Sequence, residues 1–197
     1  MAEDAPTLVI LAGPNGAGKS TSARTLLAET LQLMTFVNAD VIAQGLSGFN
    51  PESMAVAAGR LMLQRLHALA EQRSSFAFET TLAGRSYGPW LKSLGKEGYR
   101  VHLVYLRLAS ADLAVARVAE RVHSGGHSIP EETIRQRYRR SIDNFFKVYR
   151  PLATFWKVYD NSEPGLSRLI AQGDQTGPPT VLVPEVWAEI QKGPDNG

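Results

Sequence analysis

The stretch Leu8-Val-Ile-Leu-Ala-Gly-Pro-Asn-Gly-Ala-Gly-Lys-Ser-Thr21 constrains this chain more than any other. An apolar run with a β-branched pair, Val9 and Ile10, breaks into Gly13-Pro14-Asn15-Gly16-Ala17-Gly18. Lys19, Ser20 and Thr21 then open a helix-compatible segment. A buried strand, a glycine-rich turn and a helix start form the context in which backbone N–H groups cradle phosphates. The glycines let the backbone turn inward, Lys19 supplies a mobile counter-charge and the Ser20 hydroxyl suits a divalent ion. The expected ligand is ATP or GTP with Mg²⁺, bound by Gly13, Pro14, Asn15, Gly16, Ala17, Gly18, Lys19, Ser20 and Thr21.

A chain of 197 residues suits one domain over 1–197, with a lid at about 117–140 and a short C-terminal strand–helix extension at 178–197. The absence of cysteine excludes a disulfide framework, a thiolate metal site and a cysteine nucleophile. With no long apolar run and no basic start, the expectation is a cytoplasmic protein without a membrane partner. Charge is unevenly placed: residues 117–150 hold eight Lys/Arg against four acids, and the remainder 13 against 15. Such a local positive field suits phosphates. Few aromatics interleave with the arginines, which counts against a nucleic-acid partner.

Periodicity predicts a strand at about 7–12, a helix at about 19–31 and a short strand at 35–38. A helical turn at 41–45 and an amphipathic helix at about 51–73 follow, the latter capped by Asn50 with Pro51 at its first position. Next come a strand at 75–78, a helix at about 89–96, the strand 100–108, a helix at about 111–123 and a second helix from Pro130 to about 148. The intervening Ser124 to Ile129 reads as a flexible joint. The fifth strand spans 155–160, Gly173 to Pro179 reads as a loop, and a strand at 181–183 with a helix from Pro184 ends the chain. Alternating strands and helices predict an α/β three-layer sandwich: a mostly parallel five-stranded sheet, helices on both faces and a helical lid, with the ligand at the carboxyl ends of the strands.

Those strand ends deliver two carboxylates, Asp40 and Glu79. Phosphoryl transfer to an alcohol needs one carboxylate to take the hydroxyl proton and commonly a second near the metal. Asp40 is the expected base and Glu79 the expected metal-shell and acceptor residue, beside Ser20. For Asp40 the alternative is a helix N-cap, and for Glu79 a surface glutamate. Acceptor contacts are expected from Asn38, Asp40, Glu79, Thr80 and Arg85, with residues 45–60 completing the pocket. Arginine spreads charge over several phosphate oxygens. Arg121 is the first candidate, Arg117 lies one turn earlier, and the choice among Arg135, Arg137, Arg139 and Arg140 stays open. His127 is either a phosphate contact or a solvated loop residue, and Asn161 and Ser162 are either base contacts or loop caps.

Together these segments resemble the zeta toxin family of P-loop kinases. The likeness is carried by Gly13 to Thr21, Asn38-Ala39-Asp40, Phe78-Glu79-Thr80-Thr81, Glu120-Arg121 and Tyr159-Asp160-Asn161-Ser162, in order over about residues 7–165. It implies a nucleotide-kinase fold, ATP- or GTP-dependent phosphorylation of the 3′-hydroxyl of UDP-N-acetylglucosamine, and an antitoxin protein as a candidate partner. It also implies Lys19 on the phosphates, Asp40 as base, Glu79 in the active centre and Arg121 on the γ-phosphate. A second lid arginine of the family falls here on His127, a departure that an arginine of the 135–140 cluster would offset. Two further readings stand beside it: a kinase for another acceptor (a nucleoside, an antibiotic or a nucleic-acid end), and a nucleotide-binding regulatory NTPase.

Overall fold

The computed structural model describes residues 5–23, 33, 35–126 and 128–193. Strand β1 (Thr7–Ala12) is the middle one of five parallel strands, and Leu8 to Ala12 are at most 1% exposed. A near-continuous apolar strand is what a parallel strand covered on both faces requires. The first turn of α1 (Lys19–Ala23) follows the glycine-rich loop; the rest of the expected helix lies outside the described residues. Then come β2 (Phe36–Val37), α2 (Ala39–Leu46), a 3₁₀ turn (Pro51–Met54), α3 (Ala55–Glu71) and β3 (Phe76–Thr80). Asn50 caps the 3₁₀ turn through Ser53 N–H with Pro51 first in the turn, whereas the helix expected from 51 begins at Ala55 without a side-chain cap.

The second half contains α4 (Tyr87–Lys96), β4 (Arg100–Arg107), α5 (Ala111–His123), α6 (Glu131–Asn144) with a π-turn (Phe145–Tyr149), β5 (Phe155–Glu163), β6 (Leu166–Asp174), β7 (Thr180–Val181) and α7 (Pro184–Lys192). The sheet has seven strands in the order β2-β3-β1-β4-β5-β6-β7, so the expectation of five is corrected. The first five are parallel, while β6 and β7 are antiparallel, making the sheet mixed. Strand β6 escapes periodicity because only Ile170 and Ala171 of its nine residues are buried. Its signal is Pro164-Gly165, a turn pair with Gly165 at φ 75°, directly after β5.

Helices α6 and α7 close one face. Trp187 of α7 stacks on Trp156 of β5 with centroids 5.5 Å apart, and Phe145 meets Tyr105 at 4.9 Å. Arg107, 4% exposed at the end of β4, is ion-paired with Asp160 of β5 at 2.6 Å and with Glu189 of α7 at 2.9 Å. A buried cation needs such partners, and these tie the last helix to the sheet.

The tyrosines of this layer give the fold an alkaline limit. Burial pushes Tyr138 and Tyr149 up to about 12, and Tyr105 higher than its ordinary value as well. A phenol whose folded value lies above its unfolded value of about 10 stabilises the fold fully below pH 10, and loses that contribution as pH rises toward 12. Denaturant titrations at pH 9 and pH 11.5 are expected to differ by about 2 kcal/mol per affected tyrosine. Tyr149→Phe is expected to reduce that difference; an unchanged pH profile in this variant would contradict the assignment.

Candidate active site

The parallel register brings three strand ends to one edge: Leu11 of β1 is opposite Glu79 of β3, and Ala12 is opposite both Thr80 and Tyr105. Strand β3 runs two residues beyond its apolar core, so Glu79 and Thr80 stand within it. The loop between β1 and α1 folds tightly over β4. A Cβ added to Gly13, whose φ is 144°, would lie 2.2 Å from the Leu106 carbonyl oxygen. Only glycine fits there.

Lys19 is 7% exposed. Its Nζ donates to the Pro14 carbonyl at 2.9 Å and lies 3.7 Å from Glu79 Oε1. Burial pushes this ammonium below its ordinary value; the charges of Glu79 and Asp40 act against that shift, and that of Arg121 acts with it. A polyphosphate brought to Lys19 would restore the favoured charged form.

Glu79 Oε2 accepts from the Ser20 hydroxyl at 2.7 Å and from Asn38 Nδ2 at 2.9 Å. Asn38, 6% exposed, uses its Oδ1 to cap α2 through the backbone N–H groups of Asp40 and Val41. The cap of α2 is therefore Asn38, and the Asp40 carboxylate, one residue into the helix, is not spent on capping. A hydroxyl beside a carboxylate is a hard-oxygen donor set that fits Mg²⁺, which is commonly held by one or two carboxylates together with substrate phosphates.

A cavity of about 790 Å³ opens at this edge. The expected residues that line it are Asn15, Gly16, Gly18, Lys19, Ser20 and Thr21 from the loop, Asn38, Asp40, Glu79 and Thr80 from the strand ends, and Arg117, Arg121 and Asn161 opposite. Gly13, Pro14 and Ala17 stand behind it as the frame of the loop. Two of the lining groups also hold protein. The Arg117 guanidinium donates to the carbonyls of Asn161 and Ser162, each at 2.7 Å, and Asn161 Nδ2 donates to the Ala17 carbonyl at 2.6 Å. His127 lies outside the described residues.

Arg85 is not brought to the cavity. Its Nε donates to Asn144 Oδ1 at 2.8 Å, while Asn144 Nδ2 donates to the Leu82 carbonyl at 2.7 Å. Asn144, 3% exposed, thereby fastens the loop after β3 to α6. That loop turns at Leu82, a buried residue at φ 56°, so the chain leaves the site immediately after Thr81.

Within the 135–140 cluster the structure separates the arginines. Arg135 pairs with Asp112 at 2.6 Å and Glu131 at 2.8 Å on the outside. Arg139 and Arg140 are exposed, whereas Arg137 lines the cavity. Arg137 lies three residues after the buried Ile134 and Arg135 three before the buried Tyr138, so helical spacing alone does not separate them.

A second cavity of about 420 Å³ adjoins the first. Pro51, Glu52 and Ala55 form one wall, within the span 45–60 expected for an acceptor, and Ser128 to Pro130 form another. Glu52 Oε1 accepts from the Ser128 backbone N–H at 3.2 Å across it. Ala39, Asp40, Ile129 and Arg137 line both cavities.

A protein-family model described as an AAA domain matches residues 8–143. An uncharacterized protein of Haemophilus influenzae (strain Rd) is 33% identical over 130 residues, which are 66% of this chain and 91% of that one. Among solved structures, a chain of the AvrRxo1-ORF1:-ORF2 complex with ATP superposes with a TM-score of 0.74 at 18% identity, covering 95% of this chain and 64% of that one. The PezAT chromosomal toxin–antitoxin system of Streptococcus pneumoniae gives a TM-score of 0.68 at 17% identity, with 96% and 79% covered. A gluconokinase from Sinorhizobium meliloti 1021 gives 0.50 at 17%, with 81% and 85% covered. At these identities the likeness is one of fold: a P-loop, kinase-like α/β architecture. The chain spans about two thirds of the AvrRxo1 chain it matches.

Proposed function

Because the chain belongs to the AAA-domain family whose pattern spans residues 8–143, we propose that it is a kinase that moves the γ-phosphoryl group of ATP or GTP to a hydroxyl of a small molecule. The observation that carries this reading is the wall shared by two cavities. One cavity contains the phosphate loop, the other lies beyond it, and Asp40 and Arg137 line both.

In this reading the triphosphate rests on the backbone of Gly16 to Thr21, with Lys19 turning from the Pro14 carbonyl to the phosphates. The acceptor occupies the second cavity with its hydroxyl at Asp40. The acceptor oxygen bonds to the γ-phosphorus as the bond from phosphorus to the β,γ-bridging oxygen breaks, Asp40 takes the hydroxyl proton, and the nucleoside diphosphate leaves. Arg121 and Arg137 stabilise the charge on the equatorial oxygens, Arg137 taking the place the sequence leaves open beside His127. Ser20 and Glu79 would hold Mg²⁺, which neutralises phosphate charge when bound. Asn38 acts behind Glu79, keeping its carboxylate turned to Ser20.

The finer reading is that the acceptor is UDP-N-acetylglucosamine, phosphorylated at the 3′-hydroxyl, as the likeness to zeta toxins implies. The similarity to the PezAT chromosomal toxin–antitoxin system supports an antitoxin protein as a partner. Incubation with γ-labelled ATP, Mg²⁺ and a panel of UDP-sugars tests both levels. The expected product is a monophosphorylated UDP-N-acetylglucosamine identified by mass spectrometry. Label on a different alcohol would keep the kinase and change its acceptor. Label released only as inorganic phosphate, across a broad metabolite panel, would overturn the kinase reading.

A further inference from the structure

Asn161 lies in the irregular stretch of β5 between Asp160 and Glu163, where pairing with β6 shifts register. Bulges of this kind re-aim a side chain. This one is fixed from three directions. Asp160, ion-paired with Arg107, accepts from the Ser162 backbone N–H at 3.0 Å and from the Ser162 hydroxyl. Ser162 Oγ in turn accepts from the Ala109 N–H at 2.8 Å. Arg117 grips the carbonyls of Asn161 and Ser162 from α5.

The side chain so aimed reaches the phosphate loop across 144 residues of sequence. Its Nδ2 donates to the Ala17 carbonyl at 2.6 Å, and its Oδ1 accepts from the Ser167 hydroxyl at 2.5 Å. A Cβ on Gly18 would come within 2.8 Å of the same Nδ2. In a trans peptide the C=O and the following N–H point in opposite directions. The Ala17–Gly18 peptide is trans, so holding the Ala17 carbonyl toward β5 sets the Gly18 N–H the other way. Gly18 lines the larger cavity.

We propose that Asn161 is a positioning residue for the phosphate loop: it pre-orients the Gly18 backbone donor for a polyphosphate whatever base that polyphosphate carries. The proposal rests on the nucleotide-binding reading above and departs from a base contact, since both polar ends of the amide already have protein partners.

Calorimetric titration of the full chain with ATP, GTP and inorganic tripolyphosphate, each with Mg²⁺, separates the two roles. Asn161→Leu keeps the size and adds no charge but removes the donor to Ala17. It is expected to weaken all three ligands by the same factor, about 10-fold, leaving the ATP-to-GTP ratio unchanged. Ser167→Ala removes only the contact that orients the amide, and is expected to weaken all three by about 3-fold; it carries the test if Asn161→Leu does not fold. Weakened ATP or GTP with unchanged tripolyphosphate would overturn the proposal in favour of a base contact. A lower melting temperature with all three affinities unchanged would overturn it in favour of a purely structural role. Wild-type protein that binds none of the three would overturn the nucleotide reading itself, and the proposal with it.

Discussion

Asp40→Asn is expected to lower phosphoryl transfer by about 10²- to 10⁴-fold, the range for removing a positioned general base, while ATP binds within about 3-fold of the wild-type affinity, a change of under 1 kcal/mol. The separation follows from where the side chain stands. Asp40 is exposed at the second position of α2, lines both cavities and caps nothing, so the amide leaves the Asn38 cap and the Glu79 hydrogen bonds intact. The lost charge near the helix start costs about 0.5 kcal/mol of stability, too little to unfold the site. Single-turnover transfer and equilibrium titration with ATP, measured on the same preparation, check both halves. Near-normal turnover in the variant would remove Asp40 from the chemistry.

Gly13→Ala is expected to be the most damaging single-methyl addition in the loop, costing about 4 kcal/mol when positive-φ strain and overpacking are combined. The added Cβ would lie 2.2 Å from the Leu106 carbonyl oxygen, and that atom belongs to β4, a strand paired on both sides. Neither partner can move without disturbing the sheet. Gly45→Ala is the internal control, because nothing lies within 4 Å of the new Cβ in α2. That change is expected to stabilise by about 0.5 to 1 kcal/mol. Guanidinium unfolding of the two variants should move in opposite directions; a Gly13→Ala variant as stable as wild type would mean that the loop packs differently.

What could be read in advance was whatever backbone chemistry writes into adjacent residues. The phosphate loop is legible because glycine, lysine and serine must fall at fixed intervals, and Asp40 and Glu79 because each follows an apolar strand. Side chains that act across the fold were harder to see. Arg85 sits close to Glu79 in sequence, yet the turn at Leu82 sends it to Asn144, a polar residue of α6 that nothing local marks as a partner. Arg137 could be separated from its neighbours only once α6 had a definite rotation against the cavity. Asn161 reads as a base contact or a loop cap because the bulge that aims it at Ala17 depends on β6, a strand of which only Ile170 and Ala171 are buried.

Among the described residues the sheet is bounded on each side by a strand of only two residues, Phe36–Val37 and Thr180–Val181. Long open borders invite another chain to add itself by main-chain pairing, the usual route to runaway aggregation. Borders this short offer scarcely one rung to an incoming strand. At these two strands a companion protein, or a second copy of this one, gains little from main-chain pairing and holds on through side chains, which single surface substitutions can sever.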